Sequence, residues 1–397
     1  MEVEIGRGKK ARRAYGFDDI AIVPSRRTRD PDDVDISWTL GPYRFELPLL
    51  ASAMDGVVSP ETAGIVGKLG GLGVLNLEGI WTRYEDADAQ LERIAALERE
   101  EATRELQEIY REPIKQELMA QRIAEVKSHG VVAAASLTPQ KVERYYELVL
   151  DAGLDILVIQ GTVISAEHVS TQGHVLNLKE FVGELPIPVV LGGCASYHTG
   201  LHLMRTGAAA VLVGVGPGAA CTTRGVLGIG VPQATAIADV AAARSQHMLE
   251  TGEYCKVIAD GGMRNGGDVA KAIACGADAV MIGSPLARAY EAPGHGFHWG
   301  MATFHPSLPR GARVRTSQNG TLEEIISGPA RENDGTFNLM GALRTSMATC
   351  GYRDIAEFNR AELMVAPALQ SEGKQLQRDQ AVGMGARGGA MALAATE

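Results

Sequence analysis

Along this chain, short runs that are apolar at every position alternate with stretches whose apolar residues recur every three or four. Three of the runs share one grammar: Asp151-Ala-Gly-Leu-Asp-Ile-Leu-Val-Ile-Gln160, Arg205-Thr-Gly-Ala-Ala-Ala-Val-Leu-Val-Gly214 and Ala274-Cys-Gly-Ala-Asp-Ala-Val-Met-Ile-Gly283. Each reads as a helix end, a glycine cap, a tight turn and then a strand. A strand with no polar face is covered on both sides, which is the mark of a parallel sheet, and its recurrence marks βα units. The pattern predicts eight strands, at 48–54, 72–77, 131–137, 155–160, 188–192, 209–214, 256–260 and 279–283. Helices are predicted at 61–69, 139–150, 197–205 and 268–274. Eight parallel strands alternating with helices predict an α/β fold, the (β/α)8 or TIM barrel, as one domain over residues 1–397. A doubly wound open sheet is the weaker alternative, because no Gly-x-Gly-x-x-Gly follows the first strand.

Three stretches depart from a minimal barrel. Residues 84–127 are charge-rich and helix-forming, broken only at Pro113, and read as a solvated helical excursion. From His295 to about Thr336 periodicity vanishes while Gly, Pro, Ser and Asn accumulate, so residues 295–345 are expected to form an active-site lid. The glycine-rich tail, 371–397, is expected to be partly disordered.

Composition narrows the function. No apolar run approaches the roughly 20 residues of a membrane span, and Met1-Glu-Val-Glu-Ile lacks the apolar region of a signal peptide. Five cysteines form no Cys-x-x-Cys pair, and the odd count suits free thiols in the cytoplasm. A net charge of −10 argues against nucleic acid as a partner. The basic cluster Arg7, Lys9, Lys10, Arg12 and Arg13 reads as a solvated terminal arm.

The chemistry concentrates at strand ends. Gly214-Val-Gly-Pro-Gly-Ala-Ala-Cys221-Thr222-Thr223-Arg224 lifts one cysteine out of a strand end, where barrels keep their catalytic groups. A thiol acts as a nucleophile through its thiolate, which Arg224 and oriented backbone N–H groups would favour. A free cysteine is otherwise a small core hydrophobe, a role that the flanking glycines and Thr222-Thr223-Arg224 argue against. Ile258-Ala-Asp260-Gly-Gly-Met-Arg-Asn-Gly-Gly-Asp268 follows the seventh strand and opens a helix, while Ile282-Gly283-Ser284 ends the eighth. Both suit a phosphate, since glycine allows close approach and a helix N-terminus favours an anion. Asp260 is placed to accept from sugar hydroxyls. Tight turning alone is the plainer reading of these glycines. Cys255 and Cys275 fall inside a strand and a helix and read as core, and Trp38 and Trp81 as caps of the barrel.

These motifs resemble the IMP dehydrogenase/GMP reductase family. The Gly214–Arg224 loop, with Gly230-Val-Pro-Gln-Ala-Thr-Ala-Ile237 behind it, is similar to that family's catalytic loop, and Ile258–Ile273 to its phosphate loop. Tyr15-Gly-Phe-Asp-Asp-Ile-Ala-Ile-Val-Pro24 and Leu50-Ala-Ser-Ala-Met-Asp55 resemble its N-terminal elements. The likeness runs from about residue 15 to 300, without the regulatory CBS modules, as in the short IMP dehydrogenase-related subfamily.

The resemblance implies that Cys221 attacks purine C2 and that Thr223 handles a proton beside it. It implies K⁺ on the main-chain carbonyls of Gly216, Gly218 and Cys221. Ser52, Met54, Asp260, Gly262, Gly283, Ser284, Gly300 and Met301 would bind the nucleotide, and Gln160, Gly161, Thr162, Gly214 and Gly216 would face NAD. The implied activity is NAD-dependent oxidation of IMP to XMP by a homotetramer, in GMP biosynthesis. The alternatives are NADPH-dependent reduction of GMP to IMP and ammonia, or a catalytically weak nucleotide-binding paralogue; a flavin-dependent barrel is a further reading of the two phosphate loops.

Departures from the family are specific. Gln160 stands where dehydrogenases place an aspartate toward the nicotinamide ribose, Cys194 where asparagine is expected, and Ala219 where a serine meets phosphate. His298-Trp-Gly-Met-Ala replaces a motif that begins with tyrosine. The Arg-Tyr pair that activates water is missing, leaving His305, Arg310, Arg313 and Arg315 as the lid's substitutes. Glu323 and Glu324 lie near an acidic position of the family but also read as a helix start. Asp55 reads as either structural or ligand-facing.

Overall fold

The computed structural model describes residues 2–165, 176–300, 313–366, 373–380 and 382–383. Its centre is a closed barrel of parallel strands: β1 (Leu49–Ala51), β2 (Leu72–Asn76), β3 (Ala134–Leu137), β4 (Ile156–Gln160), β5 (Val189–Cys194), β6 (Ala210–Val213), β7 (Lys256–Asp260) and β8 (Ala279–Ile282). Each strand pairs with the next, and β8 closes on β1 through Met281 opposite Leu50. The TIM barrel expected from the repeated apolar runs is therefore present. Nearly every strand position is buried, because helices cover the outside while side chains fill the inside.

The outer ring includes α1 (Pro60–Lys68), then α2 (Ala87–Ala96), α3 (Arg99–Ile109) and α4 (Gln116–Ser128), which all lie between β2 and β3. It continues with α5 (Pro139–Asp151), α6 (Leu178–Glu184), α7 (Tyr197–Met204), a short α8 (Thr223–Leu227), α9 (Gln233–Thr251) and α10 (Gly266–Ala274). Local chemistry sets their starts. Ser59, Asn177, Ser196 and Asn265 each cap a helix with a side-chain oxygen, and Pro60 and Pro139 occupy first-turn positions.

Strand edges differ from the sequence reading in one useful way. The first strand was expected to run to residue 54, but it ends at Ala51, and the Met54 amide turns back to the Ser52 carbonyl at 2.7 Å. Ser52 and Met54 thereby leave the sheet and face the barrel's C-terminal rim. The fifth strand runs on to Cys194, whose thiol packs within the wall against the Leu212 carbonyl.

The excursion at 84–127 is less solvated than its charge suggests. One apolar residue per turn is enough to seat each helix, and Leu91, Ile94, Leu106, Ile109, Met119 and Ile123 are all buried. Arg122 is buried too, donating to the carbonyls of Trp81 and Glu85 and to Glu125. The stretch read as unstructured from residue 295 also contains order. Phe297–His298 pairs with Val314–Arg315, followed by α11 (Leu322–Ile326) and α12 (Leu339–Thr349). Leu322, Ile325, Phe337, Leu339 and Leu343 join the core, so only part of 295–345 has the character of a loop. Short apolar pairs set among Gly and Asn hid this, because their partners are remote in sequence. Residues 367–372, 381 and 384–397 of the expected tail lie outside the described residues. Among the described residues, no helix is long and apolar enough to cross a membrane.

A buried ion pair locks α9 to β7 and β8. Arg244 donates to Asp278 at 2.7 Å, and the same carboxylate accepts from the Val257 amide and the Tyr254 hydroxyl. Removing one partner strands the other's charge in the core. Asp278→Ala is expected to cost about 3–5 kcal/mol of stability, measurable by denaturant unfolding.

Candidate functional site

The loops after the strands enclose one cavity of about 810 Å³ at the C-terminal rim, within the roughly 300–1,000 Å³ typical of ligand pockets. It is lined by Ser52, Met54, Gln160, Gly161, Thr162, Gly214, Gly216, Gly218, Cys221, Thr223, Asp260, Gly262, Gly283, Ser284 and Gly300. The residues assigned to catalysis and to nucleotide, cofactor and K⁺ binding all converge there except Met301, which lies outside the described residues. So do His305 and Arg310.

Cys221 is exposed, whereas Cys194, Cys255, Cys275 and Cys350 are buried. Burial pushes the Cys194 thiol up to about 12, so it stays protonated. Cys221 sits on the loop between β6 and α8, its amide donating to the Gly218 carbonyl at 3.0 Å and its thiol to Thr223 Oγ1 at 3.2 Å. Thr223 is itself buried in the first turn of α8. Arg224 behaves differently from the expectation. Its guanidinium donates to the Val231 carbonyl at 2.6 Å, and its side chain fills the space beside Gly216 and Gly230. It braces the loop instead of pairing with the sulfur.

Two glycines owe their place to crowding. A Cβ on Gly214 would stand 2.1 Å from the Asp260 carbonyl oxygen, and one on Gly283 would stand 2.6 Å from Met54 Sδ. The Cys221 loop therefore rests directly on the loop after β7, and the Gln233 amide stitches them together, donating to the carbonyls of Val213 and Asp260. Gln233 had no assigned role in the sequence reading, although it stands in a motif singled out there. Gly16–Asp18, Thr138–Gln140 and Arg264 also line the cavity and were given no site role, although Gly16–Asp18 and Arg264 stand in motifs singled out there; only Thr138–Gln140 carries no local mark.

Asp260 opens onto the cavity but is otherwise enclosed, and desolvation raises its carboxyl to about 7 against the opposing hydrogen bond from Gln160 Nε2 at 3.0 Å. Among the described residues, Oε1 of Gln160 and Oε1 of Gln233 are buried without partners. Ser284 shares a 2.7 Å hydrogen bond with His298 Nε2. Burial lowers His298 to about 4, so the ring is neutral at neutral pH.

Other candidates have structural roles. Glu324 closes a capping box with Thr321 and pairs with Arg331, so Thr321-Leu-Glu-Glu is a helix start. Arg313 lies over the Phe297 ring and donates to the Ile94 and Leu97 carbonyls at the end of α2. Asp55 is buried and accepts from the Ile80 amide, the Asn76 amide group and Tyr110, so it is structural. Trp38 donates to the Leu47 carbonyl and stacks on Phe45.

The family model described as the IMP dehydrogenase / GMP reductase domain matches residues 14–374. An uncharacterized oxidoreductase of Mycolicibacterium smegmatis is 50% identical over 372 residues, covering 91% of this chain and 99% of the relative. Inosine-5'-monophosphate dehydrogenase of Cryptosporidium parvum is 30% identical, over 86% of this chain and 89% of its own. The crystal structure of an IMP dehydrogenase/GMP reductase-like protein from Corynebacterium glutamicum superposes with a TM-score of 0.88 at 47% identity, covering 92% of this chain and 98% of that one.

The raised Asp260 carboxyl has a consequence for stability. Its usual value is 3.8, so between about pH 4 and 7 the folded chain binds more protons than the unfolded one, and stability falls as pH rises. Asp260→Asn should remove roughly 2 kcal/mol of that decline, allowing for the carboxyl's opening to solvent. Thermal unfolding of ligand-free protein at about pH 5 and pH 8 checks it, and equal declines for both proteins would refute it.

Proposed function

The chain belongs to the IMP dehydrogenase/GMP reductase family of oxidoreductases, and from that premise we propose that it oxidises IMP to XMP with NAD through a covalent bond between Cys221 and purine C2. One observation carries the reading: the exposed cysteine opens into the same cavity as Asp260 and the glycine turns after β7 and β8.

In this proposal Cys221 attacks C2 as the thiolate, its proton lost to solvent, and Thr223 Oγ1, already 3.2 Å from the sulfur, hydrogen-bonds the sulfur and relays that proton. A nicotinamide, when bound, supplies the acceptor for the hydride that leaves C2. Water then adds at C2 and the C–S bond breaks, which frees XMP and returns the thiolate. Asp260 holds the ribose hydroxyls. Gly262, Gly283 and Ser284 hold the phosphate, with Ser284 oriented by His298. Ser52 and Met54 line the base, and Gly300 and Met301 meet its edge. Gln160, Gly161, Thr162, Gly214 and Gly216 face the nicotinamide side. The size of the cavity, about 810 Å³, fits a second ligand beside the nucleotide. For K⁺, the carbonyls of Gly216, Gly218 and Cys221 supply part of a shell, that of Gly218 with one lone pair already used by the Cys221 amide. The proposal extends to a cytoplasmic homotetramer acting in GMP biosynthesis.

One observation favours a second reading. Gln160 is an amide already bonded to Asp260, and Cys194 is enclosed in the wall, so two positions expected to serve the dinucleotide are occupied otherwise. That suits a nucleotide-binding paralogue with weak redox turnover. The reductase direction, GMP to IMP and ammonia with NADPH, would use the same cysteine.

Absorbance of reduced nicotinamide, followed with IMP plus NAD⁺ and separately with GMP plus NADPH, separates the readings. Cys221→Ala is expected to lower the activity by on the order of 10³-fold or more while nucleotide binding stays measurable by calorimetry. Undiminished turnover in that variant would exclude the covalent route.

A further inference from the structure

The proposed chemistry gives no part to the helical excursion, yet one of its residues reaches the framework of the cavity. Tyr110 follows the last turn of α3 with its ring half-buried. Its hydroxyl donates to Asp55 Oδ2 and accepts from Trp299 Nε1 at 2.8 Å. Asp55 directly follows Met54, and Trp299 directly precedes Gly300, so the two partners adjoin two neighbouring stretches of the cavity lining, which also meet where the Gly294 amide donates to the Gly56 carbonyl at 3.1 Å. Asp55 and Trp299 are each 1% exposed.

The choice of a phenol between them has a physical reason. An ionised carboxylate only accepts and an indole N–H only donates, and a hydroxyl does both. As a one-atom spacer it satisfies the two buried groups at once. Its loss would leave Trp299 without an acceptor and Asp55 short of a donor. The Arg83 guanidinium lies 5.6 Å from the Tyr110 ring centroid, holding the ring in place from the loop after β2. A second tie runs parallel. Arg313, which immediately precedes the strand paired with Phe297–His298, covers the Phe297 ring at 4.0 Å and reaches the carbonyls that end α2. The excursion thus grips both strands of the hairpin that leads into Gly300.

We propose that Tyr110 is a positioning residue whose hydroxyl fixes the spacing between the Ser52–Met54 and Trp299–Gly300 walls, so that the helical excursion sets how a purine nucleotide is seated. The seating clause rests on the function proposed above; the coupling of the two walls does not.

Tyr110→Phe, Trp299→Phe and the double variant test it. Each single variant should raise KM for the purine nucleotide roughly tenfold with kcat changed less than about threefold, and the double should fall well short of the product of the singles. A purely structural residue would lower thermal stability without that split. Hydrogen exchange of the ligand-free protein gives a readout independent of substrate: Tyr110→Phe should speed exchange at residues 54–58 and 297–300 together, roughly tenfold, with α9 unchanged. Additive KM effects in the double variant, or unchanged exchange in both segments, would overturn the proposal. If neither IMP nor GMP protects Cys221 of the wild-type protein from iodoacetamide, the purine reading and the seating clause fail. The exchange response would then still establish that Tyr110 couples the walls.

Discussion

The site depends on a contact with no room for a side chain. Gly214 lies against the carbonyl of Asp260, and the Gln233 amide bridges that carbonyl to Val213. Because the barrel is closed, β6 and β7 cannot separate to relieve crowding, so their terminal loops are held in register. The register brings an exposed thiol on one loop and the Asp260 carboxyl to the same opening. A methyl group at position 214 would push them apart, and a misplacement of 1 Å is enough to cost an enzyme much of its rate.

Around that contact the barrel rim is a set of polar groups held at chosen charge states by burial. Asp260 sits near neutrality in its titration, while His298 is kept neutral and tethered to Ser284. Burial also raises Asp55 to about 6, and its three donors hold it against that tendency. In a weakly polarisable interior such groups are costly unless each is partnered, and here Gln160 partners Asp260, Ser284 partners His298, and Tyr110, Asn76 and the Ile80 amide partner Asp55. Gln160 donates across the rim to the Asp260 carboxylate at 3.0 Å.

The excursion between β2 and β3 joins this rim to the barrel's flank. Its helices are rich in charge but each buries apolar residues, and they meet the rim through a tyrosine, an arginine stack and the carbonyls at the end of α2. Such contacts are few and directional, so they fix geometry more than they add stability.

Much of this was legible in the sequence. The all-apolar runs, three of them after glycine caps, pointed to eight parallel strands, because strands covered on both faces tolerate such composition. The glycine loops marked Cys221, Asp260 and Ser284, because tight turns and close backbone approach demand glycine wherever they occur. The sequence alone did not reveal Tyr110, Trp299, Gln233 or the true partner of Arg224. Tyr110 lies 189 residues from the indole that it meets, and no local periodicity encodes a contact of that range. Nor could composition show that α2 to α4 are seated on the barrel, or that Gln160 bonds Asp260 across 100 residues of chain. Local pattern determined which segments are strands and which turns are tight; closure of the barrel decided which side chains face one another, since that depends on the order in which distant strand ends meet.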